Sequence, residues 1–163
     1  MYQNLSKLEI VTQIFNELFL PSENTRLQSG ASEPFYQAEK QTNPAIIYSR
    51  EDFFSSALHE ISHWCIAGKE RRKQDDFGYW YKPEGRSQQQ QTEFERVEVK
   101  PQAIEWALSL ACEHPFHFSA DNIAQEIEAS ESFKNNIISQ LNLYLMEICR
   151  PPRAALLFER LNS

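Results

Sequence analysis

The stretch Ala57-Leu58-His59-Glu60-Ile61-Ser62-His63-Trp64 carries two imidazoles and a carboxylate at a spacing that suits a divalent metal. On an α-helix, residues four apart lie about one turn apart on the same face, so His59 and His63 offer nitrogen donors to one point, with Glu60 beside the first. Two chemistries use such a pair. A zinc ion lowers the pKa of bound water, and Glu60 would take the proton as general base, which describes a hydrolase. Two histidines and one carboxylate also form the facial triad of non-haem iron, which leaves positions for dioxygen and substrate. The competing readings are that both histidines merely line an amphipathic helix, or that the chain is a metalloprotein that only binds a partner. Binding alone requires no open metal position, which counts against the latter.

A catalytic metal on two histidines takes a third protein ligand. The extended metzincin signature is excluded, because Ile66 stands where its glycine should be. Glu98 lies between Val97 and Val99 and forms, with Gln102 and Glu105, a polar stripe at helical spacing among apolar residues. A carboxylate in such surroundings is costly unless partnered, so Glu98 is the leading candidate. Glu95 and Glu105 are further carboxylates and His117 a third imidazole. Gln102 and Glu105 are expected to support the ligands, Glu105 by accepting an imidazole N–H. An exposed face salt-bridged through Arg96 and Lys100 is the bland alternative.

The elements that must position these residues follow from periodicity. A chain of 163 residues fits a single domain with a real core, and 12% aromatics with only four glycines favour an ordered fold. Leu5 through Phe19 repeat at three- and four-residue intervals, predicting a helix over 5–20 that Pro21 ends. Short strands are expected at Thr25-Arg26-Leu27, Phe35-Tyr36 and, most clearly, Ala45-Ile46-Ile47-Tyr48. Ser49-x-x-Asp52 resembles a capping box and is expected to open the metal helix, with Gly68 as its stop and Phe54, Ala57, Leu58, Ile61 and Cys65 as its apolar face. Helical patterning resumes from Thr92 to Cys112, kinked or divided by Pro101. His114 to Phe118 reads as irregular or strand-like. A helix over 132–149 is expected to bury Phe133, Ile137, Ile138, Leu141, Tyr144, Leu145 and Ile148. Pro151-Pro152 opens a last helix carrying Ala155, Leu156, Phe158 and Leu161. The fold class is therefore α+β: a single helix-rich domain, 1–163, with a small sheet and the metal site between the His-Glu-x-x-His helix and a later helix.

Net charge of −7 argues against general binding to nucleic-acid phosphates. Lys69-Glu70-Arg71-Arg72-Lys73 is the densest basic cluster, either a solvated helix end or a docking patch for an acidic partner. Cys65, Cys112 and Cys149 are odd in number and lie in apolar helical surroundings, so they read as buried thiols in a reducing compartment. Met1-Tyr2-Gln3-Asn4 starts no basic-then-apolar segment, and no run approaches the roughly 18 apolar residues of a membrane span, so no membrane and a cytoplasmic location are expected.

Ala57 to Lys69, Asp76-Phe77-Gly78-Tyr79-Trp80-Tyr81, Pro83-x-Gly85-Arg86 and Val97-Glu98-Val99-Lys100-Pro101-Gln102-Ala103 together resemble the elongation factor P hydroxylase family. Those blocks are far more specific than His-Glu-x-x-His alone and cover roughly residues 50–120. The resemblance implies hydroxylation of the β-lysylated lysine of elongation factor P, and a fold like that of a metal-dependent bacterial ribonuclease family. It also implies a two-His, one-carboxylate centre at His59, His63 and Glu98, holding Fe(II), with Zn(II) the alternative, and using dioxygen. In that setting Glu60 orients a ligand or shuttles a proton. A long cationic substrate side chain would be guided by Asp75, Asp76 and Glu84 and by the rings of Tyr79, Trp80 and Tyr81. Lys69, Arg71, Arg72 and Lys73 would meet an acidic face of elongation factor P.

Overall fold

The computed structural model describes residues 4–76, 86–119 and 129–163. They fall in two compact units, Met1–Gly78 with Pro151–Ser163, and Tyr79–Arg150. Helices predominate, and the described strands form one three-stranded sheet.

The first unit begins with α1, Lys7–Glu23. Ser6 and Glu9 close a capping box: the Ser6 Oγ accepts the Glu9 N–H at 3.2 Å and the Glu9 carboxylate accepts the Ser6 N–H at 2.7 Å. The helix runs past Pro21, contrary to the expected stop. A proline in the last turn forfeits only its own N–H bond to the preceding turn. Asn24, in the left-handed region at φ 47°, ends the helix instead, with its N–H on the Phe19 carbonyl.

Strands β1 (Thr25–Ala31), β2 (Phe35–Gln37) and β3 (Ala45–Arg50) follow in the order β1-β3-β2 across the sheet. β3 is the central strand, parallel to β1 with Leu27 opposite Ile47, and antiparallel to β2 with Tyr36 also opposite Ile47. Its Ala45, Ile46 and Ile47 are buried, which fits the apolar run read there.

Ser49 is a residue of β3 and not a helix cap. The Gly30 N–H donates to the Glu51 carbonyl at 2.7 Å and the Glu51 N–H to the Ala31 carbonyl at 2.8 Å, so pairing with β1 continues past Ser49 to the end of β3. Helix α2, Phe54–Ile66, starts five residues later, with no side-chain cap on its first turn. Its buried stripe of Ala57, Leu58, Ile61, Trp64 and Cys65 packs beside β3, α1 and α5. α2 ends two residues before Gly68, through an extended Ala67 whose N–H donates to the His63 carbonyl. A single 3₁₀ turn follows at Arg71–Lys73.

Helix α5, Pro152–Leu161, belongs to the same unit. Its inward face is Ala154, Leu157 and Phe158; Phe158 is buried as expected, whereas Ala155 and Leu161 are half-buried and Leu156 is exposed.

The second unit holds α3, Gln88–Ala111, and α4, Glu131–Leu145, packed on each other. α3 starts earlier than its apolar pattern suggests, because Ser87 and Gln90 form a second capping box. Pro101 is buried within one unbroken helix and does not divide it. Residues 114–118 are irregular. α4 buries Phe133, Ile137, Leu141 and Tyr144 but ends at Leu145, where left-handed Glu147 and Cys149 turn the chain out of the helix. Leu145 and Ile148, expected in the core, are therefore exposed, and so is Ile138 within the helix. Of the three thiols only Cys65 is buried; Cys112 is half-buried and Cys149 exposed.

Candidate metal centre

Helix α2 presents His59 and His63 as half-buried neighbours, with ring centroids 4.7 Å apart and planes inclined at 60°. Ala57, Leu58 and Ile61, none of them exposed at all, fix the rotation of the helix, so the imidazoles stand at the edge of its buried stripe. Glu60 is half-buried beside them.

Helix α3 supplies Glu98, 5% exposed, from a row of buried polar residues, Gln91, Glu98, Gln102, Glu105 and Ser109. Five polar side chains on one buried face carry a heavy desolvation cost unless each is engaged. Gln102 shows how this is met: its Nε2 donates to Glu98 Oε1 at 3.4 Å and to the Ser119 carbonyl at 3.3 Å, and its Oε1 accepts the Ser119 N–H at 3.1 Å. Gln102 thus ties Glu98 to the segment after α3. The ligand atoms of His59, His63 and Glu98 lie within 4.8 Å of one another, and among the described residues these three form a group that could hold a metal ion.

The other carboxylates read as alternatives have different work. Glu95 accepts the Ser130 Oγ–H at 2.7 Å and the Ser130 N–H at 3.2 Å, bracing the residue that caps α4. Glu105 is buried, and His117 is exposed; neither belongs to the group. Cys65 is also outside it. Burial pushes its thiol up to about 12, opposed only by the nearby Arg153 cation, so it stays protonated.

The residues expected to meet a substrate or partner are mostly engaged within the chain. Asp75 accepts the Ala38 N–H at 2.8 Å. Asp76 pairs with Arg71 at 3.1 Å, and its backbone bridges to Tyr36. Arg72 pairs with Glu23 and Lys73 with Glu70, while Lys69 is exposed. Tyr79, Trp80, Tyr81 and Glu84 lie outside the described residues.

Two arginines escape sequence reasoning. Arg86, just before the cap of α3, is buried: its Nε donates to Gln91 Oε1 at 2.7 Å and its guanidinium lies 4.0 Å over the Phe94 ring. Desolvation lowers its pKa, while the negative charges of Glu98 and Glu95 act the other way. The Ser87-x-x-Gln90 box was the signal that could have placed Gln91 on the first helical turn, within reach of Arg86. Arg153 caps the end of α2 from far along the chain, and no local pattern announces it.

The sequence matches a known family. The family model described as elongation factor P hydroxylase matches residues 14–163. The elongation factor P lysine hydroxylase of Haemophilus influenzae is 48% identical over 139 residues, which span 85% of this chain and 78% of that protein. With the match running from α1 to the end of α5, the chain belongs to the elongation factor P hydroxylase family.

Proposed function

We propose that the chain, working as one domain over 1–163, hydroxylates the β-lysylated lysine of elongation factor P, with Fe(II) as its metal, dioxygen as co-substrate and a two-electron donor that reduces the second oxygen atom to water. The observation that carries this reading is the convergence of two imidazoles and one buried carboxylate in a member of this family. The donor set fits such an ion. Metal–nitrogen and metal–oxygen bonds run about 2.0–2.2 Å, so donors within 4.8 Å of one another can share one ion after small side-chain rotations. Two nitrogens and one oxygen also leave coordination positions for other molecules.

A bound ferrous ion supplies the oxidising chemistry that an unactivated C–H bond demands. The protein's part is positional. His59 and His63 offer ring nitrogens from consecutive turns of α2, and Glu98 offers a carboxylate oxygen whose direction Gln102 restrains. Glu60, next to His59, holds or moves a proton at its carboxylate; it is not needed as a base for water in this reaction. Asp75, Asp76, Tyr79, Trp80 and Tyr81 are proposed to guide the cationic side chain, and Lys69, Arg71, Arg72 and Lys73 to face the protein substrate. Since Arg71, Arg72 and Lys73 already have acidic partners, Lys69 carries most of the net positive charge at that face. No described helix is long and apolar enough to cross a membrane, which accords with action on a translation factor in the cytoplasm.

The test is to load the purified protein anaerobically with Fe(II) or Zn(II), add β-lysylated elongation factor P, oxygen and a two-electron reductant such as ascorbate, and follow the substrate by mass spectrometry. Gain of one oxygen atom with iron alone supports the proposal. Cleavage of a peptide with zinc, and no oxygen gain with iron, would replace it with the hydrolase that His-Glu-x-x-His spacing also permits.

A further inference from the structure

We infer that Arg153, on the first turn of α5, is a positioning residue for His63. The inference rests on the metal reading above, because it concerns how one ligand of that centre is held. α2 ends at Ile66, so the carbonyls of its last turn have no partner within the helix. The Ala67 N–H takes the His63 carbonyl. Arg153 Nη2 takes the next ones, donating to Trp64 O at 2.7 Å, to Cys65 O at 3.2 Å and, just beyond the helix, to Ala67 O at 2.8 Å. A cation at this end also complements the negative pole of the helix.

The same guanidinium lies 4.7 Å over the Trp64 ring. Trp64 is buried and also packs edge-to-face with Phe15 and Phe19 of α1, at centroid distances of 5.1 and 5.0 Å. The residue directly after His63 is thus gripped through both its carbonyl and its ring. A metal ligand on the last turn of a helix would otherwise sit where helices fray. Arg153 removes that freedom, so the His63 nitrogen is fixed relative to His59 before any ion arrives. A lysine could reach one or two of these carbonyls, but it lacks the planar group that stacks on Trp64.

The test compares wild type with R153Q and R153K, using L141A in α4, in the other compact unit, as a control that lowers stability. In metal-free protein, nitrogen-15 spectra of the imidazoles read the setting of His63, and Co(II) titration then reads affinity. The expected result is that R153Q shifts and broadens the His63 ring signals and weakens Co(II) binding roughly tenfold or more, the size usual for residues that orient a ligand. R153K should restore part of both, while L141A leaves the His63 signals in place. Should R153Q not fold, R153K alone must still show the His63 shift. Unchanged His63 signals in R153K and R153Q, with only a lower Tm, would overturn the inference and leave Arg153 a purely structural cap. Absence of Co(II) binding by wild type would defeat the metal reading instead, and the His63 signals of the metal-free protein would still decide the role of Arg153.

Discussion

Replacing Gln102 by leucine separates the stability of the polar row on α3 from its service to the metal. Gln102 is fully buried, and its amide makes two bonds to the Ser119 backbone and one longer contact to Glu98. A hydrogen bond between neutral groups contributes about 1 kcal/mol net, so losing the Ser119 pair costs about 2 kcal/mol. Ser119 is exposed and its freed groups can find water, which keeps the loss near that figure and below the penalty for stranded polar atoms. The contact to Glu98, at 3.4 Å, adds little stability. Its consequence is for the ligand: without the amide, Glu98 loses a restraint on its oxygen, and outer partners of this kind are worth about 10–100-fold in metal affinity. Urea unfolding of the metal-free Q102L protein should therefore show a loss of about 2 kcal/mol, and competition between protein and chelator for Co(II) should show the weakened binding. A Q102L protein that loses the stability but binds Co(II) as tightly as wild type would refute the argument, and would leave Gln102 as a clamp on Ser119 only.

Other consequences can be checked alongside. H59A and H63A should abolish stoichiometric metal binding while changing unfolding free energy by no more than about 1 kcal/mol, because both rings are half-buried at the edge of the core. L58A removes a side chain with no exposed surface beneath the histidines and should destabilise the protein by about 2–5 kcal/mol in denaturant titration. Cys149 should alkylate rapidly in the native protein and Cys65 should not: with its thiol at about 12, Cys65 has a thiolate fraction of about 10⁻⁴ at pH 8, roughly a thousandfold below an ordinary thiol, before burial is counted. The raised Cys65 pKa also has a sign in stability. The folded state holds this proton more tightly, so the contribution is fully present below about pH 9 and is lost as pH rises toward about 12; C65A should flatten that alkaline decline in unfolding experiments.

Much of the site could be read without coordinates. Four-residue spacing places His59 and His63 on one side of any helix, and the surrounding apolar residues require that helix, so these ligands follow from local geometry. The blocks from Ala57 to Ala103 point to the family with no structure at all. Helix interiors were legible for the same reason, since burial imposes a period that a sequence displays directly.

Choices among equivalent residues needed the tertiary structure. The polar stripe of α3 put Glu98 ahead of Glu95 and Glu105, but only the structure separates their uses: Glu95 is taken up by Ser130, whereas Glu98 groups with His59 and His63. Ser49-x-x-Asp52 has the residues of a helix start, yet pairing with β1 holds Ser49 in β3, because strand hydrogen bonds come from residues distant in sequence. α4 ends before its apolar pattern does, at left-handed residues that no periodicity encodes. Arg153 makes the point most sharply. Its acceptors lie 86 to 89 residues away, and only the folding of α5 against α2 brings a guanidinium to the carbonyls beside a candidate metal ligand. The sequence by itself determined which groups could do the chemistry, because type and local spacing suffice for that. Which of them meet, and what holds them still, was decided by contacts between segments that are neighbours only in space.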